Sequence, residues 1–116
     1  MKEDDLDKIK KRLKLYKEEE IEFNEPHFTE RLVLREGNRK DVINHLLNPE
    51  SLVYSYSEKG RYGNVVHCLH FKVSNTRTMR LPVIFDRGGK KSLYIITYIM
   101  RYRRWQSLVR KGEKHD

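Results

Sequence analysis

Apolar residues recur with a helical period in the first part of the chain. The first apolar stripe consists of Leu6, Ile9, Leu13 and Tyr16. Spacings of 3, 4 and 3 residues are those of a narrow apolar seam on an amphipathic helix. They predict a helix over residues 3–20. The seam can pack on the same domain or on a second copy in a homodimer, and we expect residues 1–22 to form an accessory N-terminal helix.

Two further helices are predicted before Pro49. Pro26 fits the first turn of the second helix, and Gly37 offers a left-handed cap at its end. Asn38 is a favourable N-cap for the third helix. That helix ends at Asn48, because the residue before a proline avoids the helical region.

After Pro49 the apolar period changes from about 3.6 residues to 2, which is the period of a strand. The alternation predicts strands over residues 52–57, 65–73, 79–86 and 92–102. Pro82 lacks a backbone N–H, so its strand is predicted to lie at an edge or to contain a bulge. The last strand is apolar on both faces and is predicted to be central.

Helices followed by an antiparallel meander predict an α+β fold. We expect N-terminal helices packed on a four-stranded, mainly antiparallel sheet, with residues 23–116 forming one domain. The end of the chain can add a short C-terminal helix that docks through Trp105, Leu108 and Val109.

Charge divides the chain at Pro26. Residues 1–26 contain 7 basic and 9 acidic side chains, a net charge of −2, whereas residues 27–116 contain 18 and 8, a net charge of +10. A strongly basic domain favours RNA, another nucleic acid or another polyanion as the partner. The alternative is a charged surface that only keeps the protein in solution.

The sequence also argues against several classes of protein and site. It has no apolar run of 18 residues for a membrane span and no basic, then apolar, signal peptide, so we expect a cytoplasmic protein. His67, Cys68 and His70 resemble metal ligands, but on a strand the two histidines face opposite ways. We therefore expect no metal site and no cofactor, and we expect Cys68 to be a core residue rather than a nucleophile.

One helix face carries the sharpest candidate chemistry. His27, Arg31 and Arg35 recur every four residues, which places them on one stripe of the second helix, each about 40° from the last. Phe28, Leu32 and Leu34 fall largely on other faces and can be buried. A stripe of one imidazole and two guanidiniums is suited to an anion.

The stripe belongs to a longer pattern that includes Asp41-Val42 and Asn48-Pro49. The pattern resembles a family in the RelE/BrnT-like small-toxin superfamily, whose first helix reads roughly His-x3-Arg-x3-Arg-Gly-Ile. In that family Asp-Val and a helix ending in Asn-Pro follow. The closing strand of that family ends in Thr, often with Tyr and Arg after it, as in Thr97, Tyr98 and Arg101. The resemblance covers about residues 26–105, and Glu36 stands where the family usually has glycine.

The resemblance implies a compact α+β fold and a metal-independent endoribonuclease. Such an enzyme removes the proton of a 2′-hydroxyl, stabilises the pentacoordinate phosphate and protonates the leaving 5′-oxygen. His27 would then be the general acid or base. Arg31 and Arg35 would hold the phosphate, with Thr97 and Arg101 in support. The expected partners are RNA and an antitoxin protein.

Two other segments offer contacts to nucleic acid. The first contains Arg103, Arg104, Trp105 and Arg110, whose guanidiniums and ring can contact phosphates and bases. The alternative for this segment is a docked helix with a solvated basic face. The second is the solvent face of the sheet, where His70, Lys72, Tyr54 or Tyr56 are either a functional surface or ordinary outward-facing residues.

Three functions remain open from the sequence. The first is a toxin-like, RNA-acting protein that cleaves RNA. The second is a nucleic-acid-binding protein of a plasmid, a virus or a chromosome, without catalysis. The third is a protein-interaction module that dimerises through the N-terminal helix.

Overall fold

The computed structural model describes residues 1–102, which contain three α-helices and seven β-strands. The helices are α1 (Leu6–Leu13), α2 (His27–Leu34) and α3 (Arg39–Leu47). The strands are β1 (Lys2–Glu3), β2 (Ile21–Phe23), β3 (Leu52–Lys59), β4 (Val65–Lys72), β5 (Thr78–Phe85), β6 (Leu93–Ile95) and β7 (Ile99–Arg101). The predicted α+β class is confirmed, whereas the predicted C-terminal helix lies outside the described residues.

The described strands form one sheet in the order β1–β3–β4–β5–β6–β2, and β7 pairs with β5. Neighbouring strands are antiparallel except for β2 and β6, which are parallel. Four strands were predicted. β1 and β2 contain only two and three residues, too few for an alternating pattern to show in the sequence.

The strand predicted over residues 92–102 is divided into β6 and β7. β6 pairs with residues 83–85 of β5, and β7 pairs with residues 78–80 of the same strand. Both segments therefore lie along the same edge of β5, separated by residues 96–98, and β5 is an interior strand.

Pro82 lies in this interior strand, so the predicted edge position is wrong. The alternative, a bulge, agrees with the pairing, because the register shifts by one residue between the β5–β6 pairs and the β5–β7 pairs on either side of Pro82. The Ile96 N–H donates to the Pro82 carbonyl at 2.9 Å. In an antiparallel pair the return bond would run from residue 82 to the Ile96 carbonyl, but proline has no N–H. The Asn24 side-chain amide donates to that carbonyl instead, at 3.2 Å, so a proline is tolerated inside the sheet.

α1 is shorter than the helix predicted over residues 3–20. It begins after an N-cap, Asp5, whose carboxylate accepts two backbone N–H groups, and it ends at Leu13. Glutamates at 18–20 would place negative charge at the negative end of a longer helix. They form a separate 3₁₀ turn before β2.

The apolar seam of α1 packs on the core of its own chain. Ile9, Leu13 and Tyr16 are at most 7% exposed. The Tyr16 hydroxyl also donates to the Asp86 carboxylate at 2.5 Å, which ties the end of α1 to the turn after β5. The seam offered by the sequence for a homodimer is thus covered within the protomer.

The sheet has two unlike faces. On the inner face, alternate strand residues such as Leu69, Leu81 and Ile95 form one hydrophobic cluster with the buried residues of all three helices. The opposite face of the sheet is the outer face, and its residues are identified by the alternation of side chains along each strand. It includes Tyr54, Tyr56, Glu58, Val66, Cys68, His70, Lys72, Arg80, Pro82, Ile84 and Tyr94. In the described part of the chain, no helix has the length and apolar character needed to cross a membrane.

Candidate nucleic-acid interface

The predicted stripe lies on α2, next to the residues that this helix buries. Phe28 and Leu32 are 0% and 7% exposed, as predicted, but Leu34 is 74% exposed. Arg31 and Arg35 are exposed and His27 is partly exposed. The Leu34 prediction is wrong because Phe28 and Leu32 define the inner face of α2, and at 100° per residue Leu34 lies 200° from Leu32, on the solvent side.

The stripe is too long to surround one phosphate. An α-helix rises 1.5 Å per residue, so neighbouring members are about 6 Å apart along the axis, and His27 is about 12 Å from Arg35. Within residues 1–102, these three side chains form no hydrogen bond or ion pair with one another or with other residues. The arrangement suits successive phosphates of one strand better than a single reacting phosphate.

α2 ends in a Schellman motif that sets the position of Arg35. Glu36 N–H donates to the Val33 carbonyl at 3.1 Å, and Gly37 N–H donates to the Leu32 carbonyl at 2.7 Å. The left-handed residue is Glu36, with a φ of 54°, not Gly37 as predicted. Arg35 is the C-cap residue, so its side chain leaves the helix where the chain turns toward α3.

Gly37 is required at this turn for a different reason. A Cβ atom there would lie 2.6 Å from Leu32 Cδ1 and 2.9 Å from Tyr98 Cζ. These distances are shorter than van der Waals contact. The glycine therefore lets the α2–α3 turn lie directly against Tyr98, one of the residues that follow β6.

A cleft of about 150 Å³ opens beside this turn. Its walls come from the α2–α3 turn, α3, the β4–β5 turn, β5 and the segment around β7. Its polar and aromatic lining consists of Arg35, Glu36, Asn38, Asp41, His45, Arg77, Tyr98 and Tyr102. The cleft thus joins Arg35, Asp41 and Tyr98, which belong to the sequence pattern, with Arg77 and His45, which sequence reasoning missed.

Two guanidiniums, Arg35 and Arg77, line the cleft together with two carboxylates, Glu36 and Asp41, and with the His45 imidazole. The His45 ring and the Ser51 hydroxyl are 2.8 Å apart, from Nδ1 to Oγ. Burial lowers the pKa of His45, and the charge of Asp41 opposes that shift. Burial also raises the pKa of Tyr98. Both shifts favour the neutral form of the group, an uncharged imidazole at His45 and a protonated phenol at Tyr98.

Arg77 and Tyr102 form the outer lip of the cleft. The Arg77 guanidinium lies over the Tyr102 ring, 5.4 Å from its centroid, and Tyr102 is 59% exposed. A guanidinium above an exposed ring offers both a phosphate contact and a stacking surface. Sequence reasoning missed Arg77 because it lies in a turn between strands, far from the stripe in the chain.

Of the five predicted catalytic residues, Arg35 alone lines the cleft, and Thr97 and Arg101 lie outside it, as His27 and Arg31 do. Arg101 pairs with Thr78 on β5 and acts on His70 of the outer face, since its charge contributes to lowering the pKa of that histidine. Thr97 has a buried hydroxyl that forms no hydrogen bond with residues 1–102. The stripe and these two residues therefore do not form one site.

His70 was predicted on a solvent face but is only 5% exposed. Burial and the nearby Arg80 charge lower its pKa to about 4. Its ring lies 5.4 Å from that of Tyr54 and 5.9 Å from that of Tyr56. Arg80 donates to the Tyr56 hydroxyl at 2.6 Å. This part of the outer face is packed, and of the predicted residues only Lys72 is fully exposed.

The remaining predicted contacts lie outside the described residues: Arg103, Arg104, Trp105 and Arg110. Cys68 is 1% exposed, in line with the expectation of a buried residue, although it lies on the outer face. Among residues 1–102, no three His, Cys, Asp or Glu side chains are grouped to hold a metal ion. No match to the chain was found among protein-family models, curated proteins or solved structures.

Proposed function

We propose that this protein binds RNA at the cleft beside the α2–α3 turn, through contacts to the phosphate groups of the RNA. The observation that carries the proposal is that Arg35 and Arg77, from distant parts of the chain, line one cleft together with Tyr102. Guanidiniums match phosphate oxygens with two parallel hydrogen bonds. The volume of about 150 Å³ suits a phosphate group better than a whole nucleotide.

The charge distribution supports the same partner. Residues 59–102 contain nine basic side chains and a single acidic one, Asp86. Such an excess attracts a polyanion before any specific contact forms. The stripe runs from Arg35 at the cleft along α2, so an RNA strand with one phosphate at Arg35 can place others at Arg31 and His27.

Cleavage of the bound RNA is a second candidate function, and His45 is the residue that favours it. A neutral imidazole can take the proton of a 2′-hydroxyl. The 2′-oxygen then attacks the adjacent phosphorus, the bond to the 5′-oxygen breaks and a water molecule protonates that oxygen, so that a 2′,3′-cyclic phosphate and a 5′-hydroxyl result. Arg35 and Arg77 would stabilise the pentacoordinate phosphate. His27, about 12 Å from Arg35 along α2, is the weaker candidate for the base.

Binding is tested by fluorescence anisotropy with a labelled single-stranded oligoribonucleotide at several salt concentrations. Phosphate contacts predict that the logarithm of the association constant falls linearly with the logarithm of the salt concentration. Binding that does not respond to salt, or no binding at 50 mM salt, would contradict the proposal.

Cleavage is tested with the same RNA, and in cells by growth on induced expression. Toxicity with a cyclic-phosphate product, relieved by His45→Ala but not by His27→Ala, would support the nuclease at this cleft. If His27→Ala relieves the toxicity and His45→Ala does not, His27 of the stripe is the catalytic base. Harmless expression with intact RNA would leave a binding protein and no toxin.

A further inference from the structure

A second concave site lies on the outer face of the sheet, at the end that carries the β3–β4 turn. Its volume is about 360 Å³. It is built from that turn, from β4, β5 and β6, and from the segment that joins β2 to α2. The side chains that line it include Asn24, Arg61, Tyr62, Val66, Ile84, Arg87, Tyr94 and Ile96.

The floor of this pocket is apolar and its wall is aromatic. Val66, Ile84 and Ile96 supply the floor. The Arg87 guanidinium stacks on the Tyr94 ring, 3.6 Å from its centroid. Tyr62, in the β3–β4 turn, is 85% exposed, and so an aromatic ring stands free at the mouth of an apolar pocket.

Charge narrows the class of ligand. Two arginines, Arg61 and Arg87, line the pocket, whereas no aspartate or glutamate does. The Glu22 carboxylate lies 3.7 Å from Arg87 and 2.6 Å from Lys90. Glu22 is thus shared between two cations, and Arg61 forms no ion pair within the described residues. A planar aromatic group that carries a negative charge fits both features.

We propose that this pocket binds one base of a single-stranded RNA, with the adjoining phosphate at Arg61. The inference rests on the proposed RNA binding and names a second point of contact for the same ligand. The volume is within the range of sites for ligands of nucleotide size. RNA is commonly recognised by stacking of unpaired bases on aromatic side chains and guanidiniums, and Tyr62 and Arg87 offer both.

Asn24 gives the pocket a polar element. Its side-chain amide lies at the wall and donates to the Ile96 carbonyl at 3.2 Å. Its side-chain oxygen is left as an acceptor for an exocyclic amino group or ring N–H at the edge of a base. Adenine and cytosine carry such an amino group, so the pocket is expected to accept more than one base.

The experiment compares two ligands of equal length, a single-stranded oligoribonucleotide and the same backbone without bases. Loss of one stacked base weakens binding by about 5- to 160-fold. Tyr62→Ala is expected to weaken binding of the complete RNA by that factor and to leave binding of the abasic strand unchanged. Tyr62→Phe keeps the ring and should restore binding. Equal loss for both ligands, or no loss for either, would overturn the proposal.

A charge control uses two residues of the same hairpin. Arg61→Ala should weaken binding of both ligands, whereas Lys59→Ala, whose side chain lies outside the pocket, should weaken both less. If the two variants weaken binding equally, Arg61 does not contact the phosphate.

A titration with adenosine monophosphate distinguishes binding in this pocket from binding in the cleft beside the α2–α3 turn. In an NMR titration, binding in the pocket should shift the methyl signals of Ile84 and Ile96, and Tyr62→Ala should abolish the shifts. If adenosine monophosphate shifts these signals but the protein binds no RNA, the proposal of RNA binding is wrong and the pocket is a site for a nucleotide. If the protein binds RNA but adenosine monophosphate does not shift these signals, the base pocket is wrong and the proposed binding at the cleft is unaffected.

Discussion

Asn24 completes the backbone hydrogen bonding of Ile96. Its side-chain amide donates to the Ile96 carbonyl at 3.2 Å, in the place of the N–H that Pro82 lacks. The bond joins the segment before α2 to the break between β6 and β7. It therefore fixes the start of the stripe-bearing helix relative to the sheet.

Substitution of Asn24 tests this relationship. Asn24→Ala leaves the Ile96 carbonyl without its donor and should lower the free energy of unfolding by about 1–3 kcal/mol. In a Pro82→Ala background, residue 82 regains an N–H that can donate to the same carbonyl. The loss caused by Asn24→Ala should then be smaller. Chemical denaturation of the four proteins gives the coupling, and an equal loss in both backgrounds would contradict the assignment.

The left-handed Glu36 predicts a stabilising substitution. Glycine adopts a positive φ without steric penalty, so Glu36→Gly should raise the free energy of unfolding by about 0.5–1 kcal/mol. The matched control is Glu30→Gly in the exposed interior of α2, which should lower it by about 1 kcal/mol. Thermal unfolding measures both, and destabilisation by Glu36→Gly would argue against the observed turn.

Substitution of the neighbouring Gly37 should instead lower the free energy of unfolding. Gly37→Ala places a methyl group 2.6 Å from Leu32 Cδ1, and overpacking of this kind costs about 1–3 kcal/mol. Gly63, which has a φ of +85° and nothing within 4 Å of an added Cβ, provides the control. Gly63→Ala meets backbone strain alone, about 1 kcal/mol, so the larger loss is expected at Gly37.

The local features of the helices and strands could be predicted from the sequence, because the periodicity of apolar residues depends only on residues that are close together in the chain. The face shared by His27 and Arg31, the N-cap at Asn38 and the alternation of His67 and His70 are local in this sense. The division of the last strand is not local, because it appears only in how its two parts pair with β5. The β2–β6 pairing, with Ile21 opposite Leu93, likewise has no signature in three residues.

The cleft illustrates the same limit for function. Arg35 and Asp41 lie in one sequence pattern, but Arg77 reaches them only after the sheet has formed. Nothing in the turn around Arg77 distinguishes it from other solvated arginines. Conversely, Arg101 follows Thr97 and Tyr98 in the sequence, yet alternation across β7 directs it away from the cleft.

His70 should make stability depend on pH. Its pKa is about 4 in the folded protein, against about 6.5 for an unperturbed histidine. Between these values the unfolded state binds more protons, so stability is complete above pH 6.5 and falls as pH decreases toward 4. The loss from this group is on the order of 3 kcal/mol.

Other groups also titrate in this range, and a variant isolates the part that belongs to His70. His70→Gln cannot take the buried proton. The stability of the wild-type protein relative to this variant should therefore fall as the pH is lowered from 6.5 to 4, in urea denaturation at each pH. A difference that stays constant with pH would show that His70 is not buried as a neutral ring.

The central claim is that RNA phosphates bind where Arg35 and Arg77 meet. The most direct measurement is the affinity of the Arg35→Ala/Arg77→Ala variant for single-stranded RNA across a range of salt concentrations. The control is Lys11→Ala/Lys14→Ala, which removes the same charge from exposed positions near the end of α1. We predict weaker binding by the arginine variant, with a salt slope smaller in magnitude by about 0.7 for each phosphate that is no longer neutralised. Equal affinity and equal slope in the two variants would contradict the account.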